Sequence, residues 1–186
     1  MKYIGTKTLE TERLILRRVT VNDAKQAYIN WCSSEEVSKY VMWTKHKDVN
    51  ETIELYKKWE LDYEDLSTYR WIVELKNTKE VIGTIDVPSK KYMPYDVCEI
   101  GYCYGEKFWG NGYATEALKR VIKFLFEECE VEVVFADYMS NNPASGKVME
   151  KAGMKYEGFL RGRIVDKASV RNDLHYYSIL KDEYNI

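Results

Sequence analysis

Gly110-Asn111-Gly112 stands directly ahead of a helix pattern, and that pairing can hold an anion. Glycine permits a tight turn and close backbone approach. A helix N-terminus presents unpaired N–H groups and the positive end of the helix dipole, which together suit a phosphate. A packing turn would use the same glycines, and the pair alone does not separate the two readings. Gly110 to Thr115 nearly fits GxGxxG, with Thr115 in place of the last glycine. That dinucleotide motif opens the first βαβ unit of its fold, whereas this one lies past the middle of the chain, which argues against a dinucleotide-binding oxidoreductase. No Gly-Lys-Ser/Thr follows, so a P-loop phosphotransferase is excluded. Cys32, Cys98, Cys103 and Cys129 lack CxxC spacing, and His46 and His175 form no cluster, so no metal is expected.

The elements around the turn can be read from periodicity. Residues 96–104 form a strand that delivers the chain to it. Ala114, Ala117, Leu118, Val121, Ile122 and Leu125 make one apolar stripe of a helix ending near Glu128. Val131 to Tyr138 reads as a short buried strand, and Asn142 as an N-cap with Pro143 at the first helical position and Gly153 closing that helix. Upstream, residues 8–18 read as a strand with Leu14 and Leu16 on one face. Asn22 or Asp23 caps a helix to about Cys32. Asp48 with Glu51 resembles a capping box before a helix whose face carries Ile53, Tyr56, Trp59 and Tyr63. Residues 69–76 and 80–87 read as a hairpin, and 154–164 and 174–181 as two final strands. The mixture is α/β or α+β around one sheet.

Three separated motifs carry a resemblance. Glu99-Ile100-Gly101-Tyr102 with Phe108 to Ala117, then Asn142-Pro143-Ala144-Ser145 with Met149 to Met154 and Glu157-Gly158, and the opening run Leu9 to Arg17, are similar to the GNAT superfamily of N-acyltransferases. The wording is closest to the ribosomal-protein alanine N-acetyltransferase branch. The resemblance covers nearly the whole chain. It implies the GNAT fold, a mixed central sheet with helices on both faces, over one domain at residues 1–186. The implied reaction is transfer of acetyl from acetyl-coenzyme A to a primary amine in a ternary complex, without a metal.

The resemblance also implies site residues. The backbone of Tyr102, Cys103 and Tyr104 would pair with the pantetheine arm almost as an added strand. The loop Trp109, Gly110, Asn111, Gly112, Tyr113, Ala114 and Thr115 would hold the pyrophosphate, and Asn142 would contact the coenzyme. Trp109 departs from the Gln or Arg that many members place there, so that position offers no basic group. A carboxylate, directly or through water, can accept the ammonium proton. Glu99 and Asp137 rank ahead of Glu157, and Asp137 ends a buried strand where a raised pKa is expected. Met149 occupies the position where many members carry an acidic Tyr, so Ser145 is the candidate that protonates the thiolate. Cys103 invites an acyl-cysteine route, but no His stands near it in sequence, and a buried strand cysteine is the favoured reading.

The branch favours the N-terminal amine of a protein, such as a ribosomal protein, as acceptor. A small amine such as an antibiotic or polyamine is the alternative, and a non-catalytic acyl-coenzyme A sensor is a rival of another class. Acceptor choice is expected from residues 22–64 and 159–175. A net charge of −2 gives no nucleic-acid footprint. No apolar run reaches membrane-spanning length and no signal peptide is read, so a cytoplasmic protein, monomeric or homodimeric, is expected.

Overall fold

The computed structural model describes residues 1–88 and 96–184. The expected single unit over residues 1–186 therefore includes residues 89–95 and 185–186, which lie outside the described residues. Nine strands among the described residues fall into two sheets. The first has the order β1 (Leu9–Glu10), β2 (Leu14–Arg17), β3 (Tyr69–Leu75), β4 (Val81–Val87) and β6 (Gly101–Tyr104), antiparallel throughout. The second has the order β5 (Val97–Glu99), β7 (Val133–Met139), β9 (Arg171–Leu180) and β8 (Lys155–Val165). Only the β5–β7 pair is parallel. A parallel pair needs a crossover, and α4 (Tyr113–Glu127) supplies it.

The mixed α/β reading holds, with one correction: the single expected sheet is two. Residues 97–104 start in the second sheet and finish in the first. Ile100 is the switch, and its N–H still bonds the Phe135 carbonyl at 2.9 Å. Beyond that bond β6 pairs only with β4, and β7 continues only beside β9. The strands diverge and leave two facing edges without a ladder between them.

Other boundaries also moved. The strand expected over 8–18 folds back, with Leu9 opposite Leu16. Leu14 and Leu16 are fully buried, as their alternation implies. Asp23, one of the two expected, is the N-cap of the first α-helix, without a side-chain capping bond, while Thr20 caps the turn ahead of it; the Asp23 carboxylate accepts the Thr20 N–H at 2.8 Å. Val21–Asp23 is a 3-10 turn leading into α1 (Ala24–Ala27), and Tyr28–Cys32 is a π turn. Short α2 (Glu35–Ser38) and long α3 (Val49–Asp62) follow. Asp48 caps α3 through the Asn50 and Glu51 N–H groups, while Glu51 accepts from Lys47 rather than Asp48. Gly153 closes α5 (Pro143–Lys151) at φ +96°, with the Met154 N–H bonding the Met149 carbonyl.

Two apolar clusters cover opposite faces. One packs α4 and α5 on both sheets, through Leu118, Val121, Ile122 and Leu125 against Trp71, Ile85, Cys98 and Val134. The other packs Ala27, Trp31, Val37 and Tyr56 from the first helical layer over Ile72 and Val81. Arg17 ties that layer to the sheet, reaching Asp23 at 2.7 Å and Glu74 at 2.9 Å.

Candidate active site

The glycine turn sits where β6 ends. Gly110 and Gly112 have φ of +76° and +81°, which other residues adopt only with strain. A Cβ on Gly110 would meet nothing within 4 Å, so the turn faces open space. Asn111 fastens it from within, its Nδ2 donating to the Phe108 and Trp109 carbonyls at 3.1 Å each. Gly112 is the N-cap of α4, so Tyr113, Ala114 and Thr115 follow with the N–H groups that a helix leaves unpaired. Open space beside oriented donors fits a pyrophosphate.

From there the gap between β6 and β7 runs back to Ile100. Antiparallel residues alternate between facing their partner and facing away. The Gly105 N–H bonds the Ile82 carbonyl, so by alternation Cys103 and Gly101 also turn their backbone groups to β4. The backbones of Tyr102 and Tyr104 face the gap instead. Cys103, expected to share in pairing a pantetheine arm, is thus committed to Thr84 across the ladder. The Tyr104 carbonyl accepts the Trp109 indole N–H at 2.8 Å. Burial also pushes the Cys103 thiol up, which disfavours a thiolate nucleophile.

The two faces flanking the gap differ in chemistry. Towards α5, the Tyr102 hydroxyl lies 2.8 Å from Ser145 Oγ and donates to the Ser145 carbonyl at 3.0 Å. Met149 is buried in the core beneath. Asn142 holds the expected N-cap position, though its side chain makes no capping bond. Its carbonyl accepts the Ser145 N–H at 3.1 Å.

On the other face a cleft of about 320 Å³ is lined by Glu99, Phe135, Asp137, Arg163, Ile164, Leu174 and Tyr176. The alternation of β5 and β7 puts Glu99 and Asp137 there and turns Cys98 and Ile100 into the core. The Asp137 carboxyl is pushed up to about 6, first by burial and then by the Glu99 charge, with Arg163 opposing. Burial raises Glu99 as well. Residues 159–175 contribute Arg163, Ile164 and Leu174, whereas residues 22–64 line none of the cleft. The two segments meet at the hairpin tip, where the Lys167 ammonium donates to the Trp43 carbonyl at 3.1 Å.

Sequence reasoning missed Asp86. It lies opposite Gly101 in the β4–β6 ladder, and burial followed by the Glu99 charge raises its carboxyl to about 6 while Arg70 opposes. Arg70 Nε is 3.9 Å from Asp86 Oδ2 and has no hydrogen-bond partner. The available signal was one acid inside the apolar run Val81-Ile82-Gly83-Thr84-Ile85-Asp86-Val87. Glu157 joins neither face: it is exposed on β8 and accepts from Ser178. Among the described residues no group of three or more His, Cys, Asp or Glu can hold a metal, and no helix is long and apolar enough to cross a membrane.

A glycine turn at a helix N-terminus, a strand gap leading from it, and acids beside that gap define an acyl-transfer architecture on a mixed α/β fold. The acetyltransferase (GNAT) domain family matches residues 13–155, and the chain belongs to that family. It is 31% identical over 173 residues to the uncharacterized N-acetyltransferase YoaA of Bacillus subtilis, covering 93% of this chain and 96% of the relative. It is 29% identical over 83 residues to the ribosomal protein uS5 alanine N-acetyltransferase of Escherichia coli, which covers 45% of this chain and 43% of that one. A GNAT-family acetyltransferase of Bacillus anthracis superposes with a TM-score of 0.82 at 26% identity, over 95% of this chain and 99% of that one. The chain is an acetyl-coenzyme A-dependent N-acetyltransferase.

Proposed function

We propose that the cleft on the Glu99–Asp137 face receives a primary amine, and that the chain acetylates the N-terminal amine of a protein there. The carrying observation is the placement of two half-buried carboxyls of raised pKa beside the gap, opposite the Tyr102–Ser145 pair. The glycine turn, the free edge of Tyr102 and the Tyr104 N–H hold acetyl-coenzyme A, which supplies an activated thioester carbonyl.

The residues then divide the work. Asp137, poised near pH 6, takes the proton from the incoming ammonium, and Glu99 raises its basicity. The freed amine attacks the carbonyl and forms the C–N bond. The Tyr102 or Tyr104 N–H at the gap donates to the developing oxyanion. When the C–S bond breaks, its electron pair leaves on sulfur and the Ser145 hydroxyl gives its proton to the thiolate; the nitrogen, cationic since attack, releases its second proton to complete the amide, and that proton restores Ser145. Thiolate leaves readily, so this last step contributes modestly.

The partial likeness to the uS5 alanine enzyme supports a protein N-terminus. The cleft sits near the lower end of ligand-pocket volumes, about 300–1,000 Å³, which suits one terminal residue and equally supports a small amine. Thiol release from acetyl-coenzyme A decides between them, assayed with an Ala-initiated peptide and with a polyamine. Release with the peptide is the expected outcome. Release with the polyamine alone moves the acceptor to small amines. Saturable calorimetric binding of acetyl-coenzyme A but not NAD, with no release to any amine, leaves a sensor.

A further inference from the structure

One basic side chain is built into the glycine turn from the far end of the sequence. Arg13 precedes β2, yet its Nη1 donates to the Asn111 carbonyl at 3.1 Å and its Nε to Glu116 Oε2 at 2.6 Å. Its own backbone N–H donates to Glu116 Oε1 at 2.9 Å, and the Thr11 hydroxyl donates to the same oxygen at 2.5 Å. The guanidinium carbon lies 4.5 Å from the centre of the Tyr113 ring. Its Nη2 is 3.5 Å from where a Cβ on Gly112 would stand.

These contacts address two problems of an anion site. A segment with two left-handed glycines is costly to order, and Arg13 grips it at Asn111 and one turn into the helix. Glu116 lies in the first turn of α4, where a carboxylate favours the helix dipole but repels an incoming phosphate. Arg13 and Thr11 occupy both its oxygens. The planar guanidinium fork is what spans a carbonyl and a carboxylate together.

We propose that Arg13 is a positioning residue for cofactor binding, holding the glycine turn open to the diphosphate and neutralising Glu116 beside it. The inference rests on the phosphate-binding reading of the turn given above. It assigns Arg13 to the diphosphate end of the cofactor and to no other part.

Two ligands separate that assignment from a general structural role: acetyl-coenzyme A and S-acetylpantetheine, which keeps the thioester and lacks the diphosphate. Binding is followed by tryptophan fluorescence, with acetylpantetheine read by displacement of acetyl-coenzyme A. Wild type is expected to prefer acetyl-coenzyme A strongly. Arg13→Ala is expected to weaken acetyl-coenzyme A about tenfold and to leave acetylpantetheine within about twofold. Arg13→Ala with Glu116→Gln is expected to recover part of the loss, because the uncompensated carboxylate is gone. Equal losses for both ligands, or no loss for either, overturn the inference while the turn's phosphate role stands. Full recovery in Arg13→Lys overturns the positioning role in favour of charge alone. A wild type that binds both ligands equally removes the phosphate reading itself.

Discussion

The glycine turn and the acid cleft lie at opposite ends of one strand gap, and they are built in opposite ways. The frame of the turn is satisfied: Asn111, Arg13, Thr11 and Glu116 close hydrogen bonds around it, its two glycines carry the awkward backbone, and the N–H groups that open α4 are left for a ligand. The cleft is unsatisfied. Glu99, Asp137 and the nearby Asp86 sit half-buried; burial raises all three, and the Glu99 charge raises Asp137 and Asp86 further, with Arg163 and Arg70 opposing. A binding end gains from pre-organisation, since ordering costs fall on the free protein. A proton-transfer end gains from strain between charges, since it lifts a carboxyl towards working pH.

The largest way to break this contrast is to remove the charge that the cleft is built around. Asp137→Asn is expected to lower kcat/KM by about 10²–10⁴-fold with little change in acetyl-coenzyme A binding. In wild type, activity is expected to rise with pH through about 6, as Asp137 loses its proton. Glu99→Gln sharpens the point. Its charge is one cause that raises Asp137, so the variant's pH limb is expected to move below 6. An active Asp137→Asn beside an inactive Asp86→Asn transfers the base to Asp86.

The turn is expected to respond differently. Gly112→Ala forces a Cβ onto φ +81° at the helix cap, in ordinary contact with Arg13 at 3.5 Å but on a strained backbone. Acetyl-coenzyme A affinity is expected to fall about tenfold, read by calorimetry, with the pH limb unmoved. A shifted limb would mean that the two ends are coupled. Ser145→Ala is expected to lower kcat several-fold only, because the thiolate leaves well, and Tyr102→Phe less still. A change of about 10² in either places the acid step in control of the rate.

The same contrast explains what could be read in advance. The turn is local: strand, glycine pair and apolar stripe occupy residues 97–125, and each signal is a short-range pattern. Asn142, Pro143 and Gly153 marked α5 for the same reason. The cleft draws on β5, β7, β8 and β9, so no window of sequence contains it. Glu99 and Asp137 were legible as acids in strands, but their shared face depends on a parallel register set through α4. The switch at Ile100 was hidden because a strand that changes sheets keeps its alternation. Asp86 was hidden because its neighbour is Gly101, contributed by a different strand. Arg13 lies within the opening run Leu9 to Arg17, but its partner Glu116 is 103 residues away.

The smallest effect expected is on stability, and its sign tests whether the cleft is strained. The ordinary Asp pKa is 3.8, and in the fold Asp137 is raised to about 6. Between those values the folded protein binds the proton that the unfolded chain has released. Stability therefore falls as pH rises from about 4 to about 6, and the penalty persists above it. Asp137→Asn removes that penalty. Partial exposure reduces its size, so a gain of about 1–2 kcal/mol, or a few degrees in Tm, is expected at pH 7–8. The gain is expected to vanish below about pH 4, where the wild-type carboxyl is protonated in both states. Melting curves of wild type and variant across that range measure it. A variant that is less stable at pH 7 would show that the charged Asp137 contributes to the fold, and the contrast between a satisfied turn and a strained cleft would fail.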